Sequence, residues 1–186
     1  NCLPICGQDP ADINQEIEKD IHNILEKSSR CLGLAEGPVK GDFILSPKNK
    51  LYVLEVAPRL HGDVTTCNTL PYGSKCNPLK FLFKAWKTKV PDESLLTNKN
   101  KGIAAWRVLC IPPGSLIDNS ILETAKNLET QYSQITKIWI NPKYDHKKHA
   151  YINTSEIPGY ICAFGETAKT VNETFVDCLS NFKFPL

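Results

Sequence analysis

Asp42 and Glu55 lie on either side of a turn signal in GPVKGDFILSPKNKLYVLEVAPRLHGD, residues 37–63. Residues 38–46 and 51–57 read as two strands, and Pro47 to Lys50 supply the turn. If Pro47 faces Lys50, then Ser46 faces Leu51 and Asp42 faces Glu55 directly. Side chains alternate sides along a strand. Lys40, Asp42 and Ile44 then share one face with Val53, Glu55 and Ala57, and Phe43 and Leu45 share the other with Tyr52 and Leu54. Opposed residues stand about 4.5–5.5 Å apart at Cβ, close enough for two carboxylates to repel. Three things can compensate such a pair: water on an exposed face, the Lys40 ammonium, or a divalent cation between the acids. Hard oxygen ligands beside open coordination sites suit Mg2+, which keeps several waters and takes substrate phosphates as further ligands. Arg59 follows just beyond, where a guanidinium can hold a phosphate in a two-pronged contact. Pro58 stops the ladder and hands the chain to a loop bearing Arg59, His61 and Asp63. Sites are often built at such strand ends. On repulsion alone, Asp42→Asn with Glu55→Gln should leave folding intact or slightly improved.

The elements that hold this hairpin follow from periodicity. Asp9-Pro10 reads as a helix opening, with Asp9 as cap and Pro10 in the first turn. Ile13, Ile17, Ile21, Ile24 and Leu25 recur at helical spacing and form one core-facing stripe, and Gly33 closes the helix as a left-handed cap. After Gly62 the chain reads as loop through TLPYGSKCNP, then as a short helix over 77–87. The polar stretch 88–101 has no period and is the expected domain boundary. Beyond it, GIAAWRVLCIP, ITKIWI and GYICAFG read as strands, and 119–132 and 166–182 as helices.

The totals bound the function. With 186 residues the chain has room for one large domain or two small ones. A net charge of +2 argues against a nucleic-acid protein held by bulk electrostatics. No run of 18 apolar residues is present, so no membrane span is expected. The opening NCLPICGQDP lacks a starting Met and a signal peptide and reads as the middle of a longer protein. Eight scattered cysteines without a CxxC pair read as mostly buried free thiols in a reducing, cytoplasmic setting. Cys110, Cys162 and Cys178 are expected in the core, as are Trp86, Trp106 and Trp139. His146 and His149 read as a solvated loop, and Gly165 ahead of a helix as a weak anion-site candidate.

The segments GLAEGPVKGDFIL and KLYVLEVAPRLHGD resemble the C-terminal lobe of the ATP-grasp domain, whose members carry the pattern Df…yvlEv.pR on a hairpin after a helix. EVAPRLH is most similar to the carboxylate–amine ligases of purine synthesis and their uncharacterised relatives. The resemblance spans residues 9–87, and the part after 100 resembles more loosely the domain that follows ATP-grasp in those ligases. It implies an α+β fold: an ATP-grasp C-terminal lobe over 1–90, a helix packed on antiparallel sheet, then a small α/β domain over 100–186. It also implies an ATP-dependent ligase with Mg2+ (or Mn2+), in which ATP turns a substrate carboxylate into an acyl phosphate and an amine then attacks. Carried over by position, Asp42 and Glu55 are the metal ligands, Arg59 the catalytic and phosphate-binding residue, and His61 a neighbour of the acceptor substrate. Lys40 joins the nucleotide-binding set through its predicted face alone. Ala57 stands where many of these enzymes place a metal-binding Asn, which argues against tight binding of a second metal.

The implied partners are ATP, a small carboxylate, an amine and a missing N-terminal portion of the same protein, without nucleic acid or membrane; a homo-oligomer is left open. The first lobe and its glycine-rich flap are not found, so the chain alone is expected to be inactive. Two other classes stand beside the ligase: a non-catalytic ATP-grasp-like module that binds or regulates a partner, and a secreted disulfide-bearing binding protein. The eight cysteines and the sequons at Asn153 and Asn172 speak for the last.

Overall fold

The computed structural model describes residues 4–62, 64–97, 99, 102–111, 115, 117–144 and 156–182. His146, His149, Asn153, Asp63 and Cys2 fall outside them. The chain forms two compact units, residues 11–62, and residues 1–10 with 63–186.

The smaller unit holds helix α1, Gln15–Cys31, and the strands β2, Lys40–Leu45, and β3, Leu51–Ala57. Asn14 caps α1, its side-chain oxygen accepting from the Ile17 N–H at 2.9 Å. Glu16 and Glu18 in the first turn and Arg30 in the last suit the helix dipole. Gly33, at φ 73°, ends the helix as expected, in a Schellman arrangement: its N–H donates to Arg30 O and that of Leu34 to Ser29 O. Ile17 is buried, and Ile21, Ile24 and Leu25 are half-buried on the stripe that faces the ribbon. Gly41 is what lets α1 come close, since a Cβ there would lie 2.5 Å from Leu25 Cδ2 and 2.6 Å from Phe43 Cε2.

The β2–β3 ribbon has two registers. At its open end Lys40, Gly41 and Asp42 pair with Ala57, Val56 and Glu55. Toward the turn Phe43, Ile44 and Leu45 pair with Val53, Tyr52 and Leu51, one residue out of step. The turn explains the offset. Ser46, not Pro47, faces Lys50: the Ser46 N–H donates to Lys50 O at 2.9 Å. The loop is therefore three residues long, with Asn49 left-handed at φ 56°. Leu54 is the extra residue that restores the step. Tyr52 thus lies on the face of Asp42, and Val53 on that of Phe43, the reverse of the simple alternation.

The larger unit is built on a four-stranded antiparallel sheet in the order β1-β4-β6-β5. These strands are β1, Cys6–Asp9, β4, Ile103–Val108, β5, Ile135–Ile140, and β6, Gly159–Gly165. Helices α4, Asn119–Gln131, and α5, Ala168–Ser180, cover one face. The core lies between them, with Ile121, Ala125, Leu128, Val171, Phe175 and Cys178 meeting Ile135, Ile138, Ile140, Ile161 and Ala163. A bulge at Thr136 keeps the unevenly spaced Ile135 and Ile138 in that one core.

Residues 6–9 form a strand rather than a helix opening. Asp9 caps nothing there: its Oδ2 accepts from the N–H and the Oγ–H of Ser74, at 2.7 and 2.6 Å. Residues 64–72, read as loop, are helical: a π-turn over Thr65–Thr69 runs into α2, Leu70–Tyr72, and both pack on β4. The wide turn suits Pro71, which cannot donate a hydrogen bond and whose ring crowds a regular helix. These contacts place β1 and 64–72 with the later strands, so the unit border falls at 62/63 and not within 88–101. Helix α3, Pro78–Thr88, follows, capped by Asn77 through the Lys80 N–H.

Cys162 and Cys178 are fully buried. Cys6, Cys31, Cys67 and Cys110 are exposed, so the expectation of mostly buried thiols fails. Cys110 sits just past β4, where the ladder no longer covers it. Trp86 is 75% exposed, on a helix that buries none of its residues fully. Among the described residues no helix is long and apolar enough to cross a membrane.

Candidate metal and phosphate site

The site is assembled at the open end of the ribbon, where β2 and β3 are in step. Asp42 and Glu55 are directly paired and so share a face with the pair Lys40 and Ala57. Their side chains are 42% and 54% exposed. Lys40 differs: its side chain is only 11% exposed, and its ammonium bonds Asp42 Oδ2 and lies 3.5 Å from Glu55 Oε1. Of the three compensations open to the facing acids, the lysine is in place.

Past Ala57 the chain turns at once. The Arg59 N–H donates to Ala57 O at 2.9 Å, closing a tight turn around Pro58. That turn brings Arg59 Nη2 back to 3.7 Å from Glu55 Oε1, while Nη1 donates to Leu60 O at 3.0 Å. The Arg59 side chain is about half-exposed, so its guanidinium has donors to offer an anion. The two acids and two bases balance in formal charge.

His61 closes the cluster. Its Nδ1 accepts from the Gly62 N–H at 2.8 Å, so the neutral ring carries its proton on Nε2. Partial burial and the positive charge of Lys40 push its pKa below 6.5; Asp42 works against this, and Arg59 adds to the lowering. The ring is therefore neutral at pH 7, a donor and not a cation.

The donor set fits one hard cation. Two facing carboxylates, both partly open to solvent, supply the one or two protein oxygens that Mg2+ takes when phosphates and water complete its shell. No cluster of three or more His, Cys, Asp or Glu suited to a metal exists among the described residues, and Ala57 adds no ligand. The set therefore fits an ion that arrives with other ligands better than one held by protein alone.

All five residues expected at the site, Lys40, Asp42, Glu55, Arg59 and His61, lie in the smaller unit, and charge interactions link them. The other candidate is weaker: at the N-terminus of α5, after Gly165, Thr167 caps the helix itself through the Thr170 N–H. Sequence reasoning missed the bulge at Leu54 and the burial of Lys40. Asn49, a residue that tolerates left-handed backbone, was the one visible sign of the three-residue turn.

No protein-family model matches this sequence, and comparison with curated proteins finds no sequence match. Solved structures do match. An L-amino acid ligase from Bacillus licheniformis superposes with a TM-score of 0.76 over 98% of this chain and 46% of its own, at 15% identity. Phosphoribosylglycinamide synthetase from Anaerococcus prevotii gives 0.70 over 99% and 46%, at 16% identity. Carboxyaminoimidazole ribonucleotide synthase from Aspergillus clavatus, complexed with ATP, gives 0.58 over 96% and 44%, at 13% identity. The chain has the fold of part of an ATP-grasp carboxylate–amine ligase. It spans about half the length of the proteins it matches, and at these identities the likeness establishes the fold alone.

Proposed function

We propose that this chain is the metal- and phosphate-holding part of an ATP-dependent carboxylate–amine ligase that works through an acyl phosphate. The observation that carries the reading is the facing pair Asp42–Glu55, flanked by Lys40 and Arg59, on this fold. Asp42 and Glu55 would hold Mg2+ or Mn2+, which when bound offsets the charge of the transferring phosphoryl group. Arg59, half-exposed and only loosely tied to Glu55, supplies a fork of donors to that group. His61, neutral with its proton on Nε2, can donate one hydrogen bond to an acceptor substrate beside the acids without repelling an incoming amine. ATP, a small carboxylate and an amine are the proposed partners, and the remainder of a longer ligase the proposed source of the nucleotide's other contacts. A cytoplasmic setting goes with this chemistry.

The test is release of ADP and phosphate from MgATP by the longer protein, dependent on both an added carboxylate and an added amine. Asp42→Asn or Glu55→Gln should lower turnover by at least about a hundredfold, as loss of charge stabilisation at a transferring group does. Turnover unchanged in both variants would overturn the reading. One observation favours a second reading, a non-catalytic module: Lys40 already balances the acids without a metal. Under that reading the longer protein turns over no ATP with any such pair.

A further inference from the structure

We propose that Lys40 is the resident counter-ion of the metal site, filling the space between Asp42 and Glu55 until a divalent cation displaces it. The proposal rests on the ligase reading of the two acids and adds a role that the reading does not need. Three observations carry it. Lys40 is the least exposed member of the cluster, at 11%, although a lysine normally keeps its charged end in water. Its ammonium contacts both carboxylates, the very oxygens the cation needs. It reaches them from Lys40's own place on the face, two residues from Asp42 and opposite Ala57, so it belongs to the ribbon's frame and not to a mobile loop.

The consequence follows from charge and valence. A carboxylate oxygen that accepts an N–H from an ammonium can bind a metal beside it only against the repulsion of two like charges a few ångströms apart. Lys40 therefore leaves as the cation enters. The freed ammonium, held on the same face, then becomes a donor for whatever anion accompanies the metal. A single residue thereby keeps the empty site folded and charge-balanced and weakens binding of the bare ion relative to ion plus anion.

The probe is Mn2+ alone, added to the 186-residue chain and followed by electron paramagnetic resonance. Lys40→Met should bind Mn2+ at least about tenfold more tightly than wild type. Lys40→Arg, which keeps the charge, should stay near wild type, and Asp42→Asn should abolish saturable binding in every background. A second readout uses wild type and so does not depend on the variant folding. Acylation of lysines, mapped by mass spectrometry, should be slow at Lys40 without metal and rise several-fold at saturating Mn2+, with exposed Lys19 as the unchanged reference. If Asp42→Asn abolishes Mn2+ binding but Lys40→Met leaves affinity unchanged and Mn2+ leaves Lys40 labelling unchanged, the counter-ion role is overturned and the ligase reading stands. If neither wild type nor Lys40→Met binds Mn2+ saturably, either alone or with ATP added, the metal site itself falls, and the counter-ion role with it.

Discussion

Asp42 and Glu55 face each other across the ribbon, and one ammonium, that of Lys40, reaches both. This decides the sign of a double substitution. Repulsion alone says that Asp42→Asn with Glu55→Gln should be neutral or stabilising. Yet the change would leave Lys40 with 11% exposure and no anionic partner, and an uncompensated, mostly buried charge costs more than a half-exposed repulsion relieves. The double variant should lose about 1–3 kcal/mol of stability. Adding Lys40→Met should recover most of it. Urea unfolding of the metal-free chain, followed by circular dichroism, measures both; a double variant as stable as wild type would show that water, and not Lys40, compensates the acids.

Asn49 sets the register that brings those acids together. Its backbone is left-handed, at φ 56°, in a turn closed by Asn49 N–H to Ser46 O and Ser46 N–H to Lys50 O. A β-branched residue there costs about 1–2 kcal/mol, whereas glycine is free of that strain. Asn49→Val should therefore destabilise the hairpin by about that amount and Asn49→Gly by little or nothing. Thermal unfolding of the two variants, read side by side, tests this; equal effects would mean that the turn does not fix the register.

What could be read from residue order follows from which signals are local. The acid pair was legible because the strands, the turn region and the period of two are all written within residues 37–63. The pair survived an error in the turn, since the bulge at Leu54 cancels the offset of the three-residue loop. The α1 stop was legible because Gly33 is a local signal. Its start was not: Asp9 and Asn14 are both good caps, and the choice depends on β1 pairing with β4, almost a hundred residues on. The helical run 64–72 was hidden because proline and threonines read as loop, and only packing on β4 makes the wide turn worthwhile. Burial of Lys40 is likewise a tertiary fact, since a lysine beside two acids looks like any solvated face. Exposure of Trp86 and Cys110 has the same origin: an apolar run says that a residue can be buried, not that something covers it.

His61 gives a pH signature of the cluster. Its pKa lies below 6.5 in the folded chain, through partial burial and then the charge of Lys40, with Asp42 opposing and Arg59 assisting. Between that lowered value and 6.5 the unfolded chain holds a proton that the folded one does not. Stability therefore rises with pH across this window and is lost as the solution is acidified through it. The imidazole resonances of His61, followed by nuclear magnetic resonance, should titrate below 6.5, and Lys40→Met should move the midpoint upward. A midpoint at or above 6.5 in wild type would show that burial and the Lys40 and Arg59 charges do not together outweigh Asp42 at the ring.

The thiols divide into those the core covers and those it leaves out. Cys178 is fully buried on the face of α5 that packs on the sheet, and burial pushes its pKa up to about 11; Cys162 is fully buried in β6. Cys76 is half-buried, its thiol donates to Leu96 O at 3.1 Å, and burial together with Asp9 raises its pKa. Cys6, Cys31, Cys67 and Cys110 face solvent. Because the thiolate is the reacting species, a disulfide-exchange reagent at pH 8 should modify those four first and Cys76 more slowly. Cys162 and Cys178 should react only as the core opens, so that urea accelerates their labelling by the same factor as it shifts unfolding. Peptide mapping after timed quenching separates the classes. Prompt labelling of Cys178 in the native chain would mean that α5 does not rest on the sheet as described, and that the larger unit owes its order to something other than this core.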